Sequence, residues 1–174
     1  IESLCEKYQL PMRVNDAPSS IHGDWNFAVA QAAGAYVTLC HQDDVYEPWY
    51  VENIKKRIKP GKDIILFTDY YEIRKEGKVN KNKLLKIKRL MNIGFKMSKS
   101  SRFIRNRVLS LGNPICCPSV TFARDKCEGF QFSHDFKNSF DWDAWSRLAR
   151  KKGRFVYIGE PLVGHRIHAE SGTT

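Results

Sequence analysis

Apolar and small residues recur at Trp25, Ala28, Val29 and Ala32, the i, i+3, i+4, i+7 spacing of one helical face, and Gly34 closes the predicted helix at 24–33. The period then changes. Residues 35–40 form a nearly continuous apolar run, expected of a strand buried on both faces in a parallel sheet, and the run stops at His41-Gln42-Asp43-Asp44. Pro48 suits the first turn of another helix, with Val51, Ile54 and Ile58 inward and a break at Pro60-Gly61; residues 64–68 read as a second buried strand. A hairpin is predicted over 70–78, turning at Glu76-Gly77. Two amphipathic helices with basic outer faces follow, carrying Leu84, Leu85, Ile87, Leu90 and Met91, then Phe103, Ile104 and Val108. Residues 119–124 and 155–158 read as strands. Residues 141–152 read as a helix with Trp142, Trp145, Leu148 and Ala149 inward. At the start, 1–8 read as the end of a helix and 12–14 as a short strand. Helices alternating with buried strands predict an α/β layer fold with a largely parallel sheet.

A chain of 174 residues with 42% hydrophobic content suits one domain, 1–174, able to bury a substantial core. No apolar run reaches the roughly 18 residues that a bilayer span needs. Five cysteines, an odd number without CxxC spacing, fit a reducing cytoplasm. The formal charge of +10 is concentrated: residues 74–107 hold 13 Lys or Arg and one acid, Glu76. This marks 74–110 as a basic helical insertion. Its charge fits a solvated face, contact with anionic lipid head groups, or nucleic acid. Few aromatics are interleaved with the lysines and no nucleic-acid motif is present, which excludes nucleic acid as the expected partner.

Asp43 and Asp44 follow a buried strand, where α/β sheets place ligands, and adjacent carboxylates there can hold Mg²⁺ or Mn²⁺ beside a diphosphate. The alternative is that Asp44 caps the helix near Pro48. Asp141 and Asp143 open a helix whose tryptophans could stack on a sugar while a carboxylate takes a hydroxyl proton; equally, acids in a first turn complement the helix dipole. His165, Arg166 and His168 offer metal ligands and a phosphate donor, or form an ordinary surface tail.

The order of these segments resembles the inverting family two glycosyltransferases over nearly the whole chain. The resemblance rests on Asn26 at the start of a small-residue helix, Gly34-x-Tyr36 with its apolar run into His41-Gln-Asp-Asp44, Asp141-Trp-Asp with Arg147-Leu148, and Arg166-x-His168 before a small polar run. It implies a GT-A fold: a nucleotide-diphospho-sugar transferase, Rossmann-like three-layer sandwich with a mostly parallel mixed sheet. It also implies a divalent metal and a nucleotide-sugar donor, with a uridine-linked one expected. The implied roles are Asp43 as metal ligand, Asn26, Asp44 and Trp142 at the donor, Asp141 as general base, Arg166 near the diphosphate and His168 as a second metal ligand. Two positions depart from the family pattern. His41 stands where the first aspartate of D-x-D is expected, and Phe140 replaces an acid before Asp141.

Members of that family open with a strand, a helix and a second strand ending in an acid-rich turn that grips the base and ribose, and none of this precedes Ile1. The expectation is a domain truncated by about 30 or more residues, with sheet edges that favour self-association. The implied activity is transfer to a saccharide or lipid-linked acceptor in surface polysaccharide assembly, at the inner face of the membrane. The alternative is an inactive fragment or a carbohydrate-binding module.

Overall fold

The computed structural model describes residues 1–133 and 139–168. In chain order its elements are α1 (Glu2–Tyr8), α2 (Ile21–Gln31), β1 (Tyr36–Thr38), β2 (Val45–Tyr46), α3 (Tyr50–Lys55), β3 (Asp63–Arg74) and β4 (Gly77–Val79). They continue with α4 (Lys83–Met97), α5 (Arg102–Leu111), β5 (Val120–Ala123), α6 (Phe140–Ala149) and β6 (Arg154–Arg166). No helix among the described residues is long and apolar enough to cross a membrane.

One sheet runs β1-β5-β3-β6-β2, with β4 added to β3 as a hairpin. Its centre is β3, buried from Asp63 through Glu72: the apolar run at 64–67 suits a strand covered on both faces, and the buried Asp63, Asp69 and Glu72 are each paired with an arginine. Ile65 and Phe67 pack on one side against α2, α5 and α6; Leu66 and Tyr70 pack on the other against Tyr50 and Ile54 of α3 and Leu85 of α4. This alternation makes three layers. The sheet is mixed. Strands β3 and β6 are parallel over a long ladder, whereas β1 to β5, β5 to β3, β2 to β6 and β4 to β3 are antiparallel. Strands β1, β3 and β6 do share one direction, but β5 inserts between β1 and β3, so the largely parallel sheet expected from the apolar runs is reduced to a single parallel pairing.

Other expectations shift for local reasons. The run at 35–40 is an edge strand in which only Val37 is buried, and residues 12–14 form no strand. In α3, Tyr50 takes the inward place assigned to Val51, which is exposed. The largest difference is β6, which continues through Pro161 to Arg166. Its register with β3 jumps from Thr68 opposite Ile158 to Asp69 opposite Pro161, so a bulge at Gly159 and Glu160 absorbs the proline that would otherwise end the ladder. The hairpin after β3 turns as expected, with Gly77 at φ 115, a conformation that favours glycine.

The basic segment is less uniformly solvated than its composition implies. Asn82 and Ser101 cap α4 and α5 by accepting the N–H groups of Leu85 and Ile104. Arg89 donates to Asp69 Oδ2 (2.6 Å) and to the Asn80 carbonyl (2.7 Å). Arg105 is fully buried and donates to the carbonyls of Ala149 (3.0 Å), Lys151 (2.8 Å) and Gly153, collecting the orphan acceptors at the end of α6. Arg105→Met keeps the apolar stem but leaves these carbonyls unpaired, and is expected to cost roughly 2–4 kcal/mol in urea unfolding. A loss under about 0.5 kcal/mol, the scale of an ordinary surface substitution, would show that water replaces the guanidinium without penalty.

Candidate active site

The antiparallel pairing of β2 with β6 builds the site. Val45 lies opposite Gly164, which brings the preceding Asp44 beside His165. The Asp44 carboxylate is fully buried; its Oδ1 accepts the main-chain N–H of Arg166 (2.9 Å) and lies 3.0 Å from His165 Nδ1. Helix α3 starts at Tyr50 with Trp49 as its N-cap residue, so Asp44 is not the cap of that helix. The Arg166 guanidinium turns back to donate from Nε to the Asp43 carbonyl (2.8 Å), and His168 Nε2 lies 3.0 Å from Asp43 Oδ2. Thus Asp43, Asp44, Arg166 and His168, separated by more than 120 residues of chain, meet in one place. The small polar run after His168 lies outside the described residues.

His41 completes the group. Its ring stacks on Trp25 of α2 at 5.0 Å, and its Nδ1 is 3.6 Å from Asp44 Oδ2. Ligand atoms of His41, Asp43 and Asp44 lie within 4.8 Å of one another. Both His41 Nε2 and Asp44 Oδ2 are buried without a hydrogen-bond partner, a costly state for polar atoms unless something else engages them. Burial pushes the His41 pKa down, more strongly than the charges of Asp44, Asp43 and Asp141 push it up. The ring is therefore the neutral form that can ligate a cation. At Asp43, partial burial raises the pKa, but the His168 hydrogen bond and a main-chain hydrogen bond outweigh it, so the carboxyl is held below its ordinary value. The residues present fit a divalent cation.

Asp141 sits in the first turn of α6. Its Oδ1 accepts the N–H of Trp142 and its Oδ2 accepts Asn113 Nδ2, each at 2.8 Å. Burial lifts this carboxyl above its ordinary value, against the opposing pull of those two hydrogen bonds and the positive charge of Lys88. Neighbouring Asp143 pairs instead with Arg147 at 2.7 Å, a helix-stabilising contact four residues on.

Two sequence candidates are used differently. Asn26 engages the main chain of Phe132 at both ends of its amide, donating to the carbonyl (3.0 Å) and accepting the N–H (2.8 Å), so it braces the segment at Phe132. Trp142, expected inward, is partly exposed, with its indole N–H fixed on the Leu109 carbonyl at 2.9 Å. Three contributors were not assigned roles from sequence: Asn113, Lys88 and Trp25. Asn113 belongs to the segment Gly112-Asn-Pro, whose turn residues marked a loop without indicating that the amide holds Asp141. Lys88 belongs to the basic segment, and its Nζ donates to Tyr70 OH at 3.1 Å, while the Tyr70 ring packs edge-on against His165.

A family model described as glycosyl transferase family 2 matches residues 2–128, most of the chain. The match includes Asn26, His41, Asp43 and Asp44 and ends before Asp141, Arg166 and His168. No protein of curated function matches the chain.

Proposed function

The chain belongs to glycosyl transferase family 2 and has the α/β GT-A fold, and we propose that it transfers a sugar, with inversion, from a uridine-linked nucleotide donor to a saccharide or lipid-linked acceptor. The observation that carries this reading is the convergence of Asp43, Asp44, Arg166 and His168 around buried, unpartnered polar atoms, with the Trp25 ring stacked on His41 and edge-on to Phe140, the residue before Asp141. A cation and an acid–base group in one place are what displacement of a diphosphate requires.

In this reading Asp43, His41 and Asp44 hold Mn²⁺ or Mg²⁺, with His168 in reach through Asp43. When bound, the ion neutralises the donor diphosphate and the departing nucleotide. An imidazole among the ligands shifts the preference from Mg²⁺ towards Mn²⁺. Arg166, anchored by its Nε, serves the diphosphate as a cationic donor. Asp141 takes the proton from the acceptor hydroxyl as that oxygen attacks the anomeric carbon, and the bond from that carbon to the diphosphate breaks with its electron pair. Asn113 fixes the carboxylate for the transfer, and the partly exposed Trp142 offers a sugar-stacking surface. Asn26 supports the donor site indirectly, through the segment at Phe132. The biological setting proposed is surface polysaccharide assembly at the inner face of the membrane, with self-association through the β1 edge as part of the same reading.

Calorimetric titration of uridine diphosphate tests the proposal. Binding with Mn²⁺ is expected to be at least about tenfold tighter than with a chelator, as a bridging cation adds one strong charge contact. Absence of binding in both conditions would favour an inactive relative or a carbohydrate-binding module.

A further inference from the structure

The outward surface of α4 and α5 has a composition unlike either an ordinary solvated face or a core. On α4, Leu85, Asn92 and Phe95 point into the protein. Opposite them, Ile87, Leu90, Ile93 and Met97 follow one another around the outer face, and Leu90 and Met97 are 69% and 81% exposed. On α5, Phe103 and Leu111 are 79% and 69% exposed. The helices pack together at Gly94, where an added Cβ would meet Val108 at 2.8 Å, so their apolar residues belong to one close-packed pair. Exposed Lys83 and Lys86 of α4 lie among these residues, as does Arg107 on α5, and exposed Lys96 and Arg102 flank the face. No acid occurs anywhere between Glu76 and Asp125.

We propose that this α4–α5 face docks on an anionic lipid bilayer, with Leu90, Met97 and Phe103 entering the head-group boundary and the lysines and arginines meeting lipid phosphates. The combination decides the occupant. Long aliphatic side chains between cations match the layered polarity of a membrane surface, apolar beneath and anionic above. A second copy of the same face would set cation against cation. Single-stranded nucleic acid would need stacking platforms, and Phe103 is the aromatic that the outer face of this pair supplies. The inner faces of the same helices hold Lys88 on Tyr70 and the Leu109 carbonyl on Trp142, so a docked bilayer lies behind the helices that border Asp141. Docking does not depend on sugar transfer, and its test does not read activity.

The experiment is co-sedimentation of the chain with vesicles of phosphatidylcholine alone and of equal parts phosphatidylcholine and phosphatidylglycerol. Partitioning is expected on the anionic vesicles only. Lys83→Gln/Lys86→Gln/Arg107→Gln should lower the partition coefficient roughly a hundredfold at low salt, from the usual contribution of one lysine or arginine near an anionic surface. Leu90→Ser/Met97→Ser/Phe103→Ser should lower it by a comparable factor and remove the part that survives high salt. All six positions are exposed, and thermal melts of both variants should match the wild type. Failure of the wild type to bind anionic vesicles, equal binding to neutral ones, or undiminished binding of either folded variant would overturn the proposal. Tight binding of polyuridylate without vesicle binding would overturn it in favour of nucleic acid.

Discussion

Asp141→Asn is expected to reduce sugar transfer by roughly 10²- to 10⁴-fold, the range that a positioned general base supplies, while metal-dependent binding of uridine diphosphate stays within about twofold. The substitution is nearly isosteric. The new side chain can still accept one of the two hydrogen bonds now given by Trp142 N–H and Asn113 Nδ2, so the first turn of α6 keeps its shape. Burial, the largest influence on Asp141, raises its pKa, so wild-type turnover should fall as pH drops through a value above that of an ordinary carboxylate. The variant should lose that acid limb. Stability carries the opposite sign. A carboxyl whose folded pKa is raised contributes stability below its unfolded pKa and loses it as pH rises through the folded value, so at neutral pH the ionised group is a cost. Removing it offsets the lost hydrogen bond, and the melting temperature at pH 7 should change by no more than a few degrees. Initial rates of nucleotide release across pH, with melts in parallel, check both halves. Unchanged turnover in a folded variant removes Asp141 from the chemistry.

What sequence could and could not reveal follows from the range of the interactions. Elements fixed by local pattern, such as the buried centre of β3 and the first turn of α6, are visible because periodicity acts within a few residues, whereas α2 is displaced from the expected 24–33, starting after the Ser20 cap and ending at Gln31, short of Gly34. Strand order is not local: among the described residues β1 pairs with β5 alone, so an apolar run that looks central lies at an edge. The bulge at Gly159 and Glu160 was hidden for a related reason. Pro161 is a local stop signal, and the long parallel ladder with β3 overrides it. Asp43, Asp44, Asp141, Arg166 and His168 could be singled out from residue type and chain order. The amide of Asn113 on Asp141 and the Lys88 contact with Tyr70 are tertiary contacts, without a spacing that announces them. Charge was the most misleading signal. Arg105 and Arg89 counted towards a basic surface, yet one collects the carbonyls at the end of α6 and the other pairs with Asp69.

Asp43→Ala tests the metal-dependent donor site with the least disturbance to the fold. Asp44 is fully buried and accepts the Arg166 N–H, so its replacement would confuse ligand loss with unfolding. The Asp43 side chain is about a third exposed, and the contact of its carboxylate with His168 is at the surface, where loss of a pair costs little stability. Binding of uridine diphosphate in Mn²⁺ should weaken by at least about a hundredfold, the upper end of what losing a mere supporting partner costs a metal site. Binding in chelator should be the same for both proteins. The pH dependence adds a second readout. Although partial burial pushes the Asp43 pKa up, the His168 hydrogen bond and a main-chain hydrogen bond hold it below the ordinary value, so Asp43 stays ionised through mild acid. Mn²⁺-dependent binding by the wild type should therefore fade as the ligand His41 protonates rather than as Asp43 does, and adding Mn²⁺ should shift that fading to lower pH. If Asp43→Ala retains Mn²⁺-dependent binding, the cation is held without Asp43, and His41 with Asp44, the pair that carries the buried unpartnered atoms, becomes the site to substitute next.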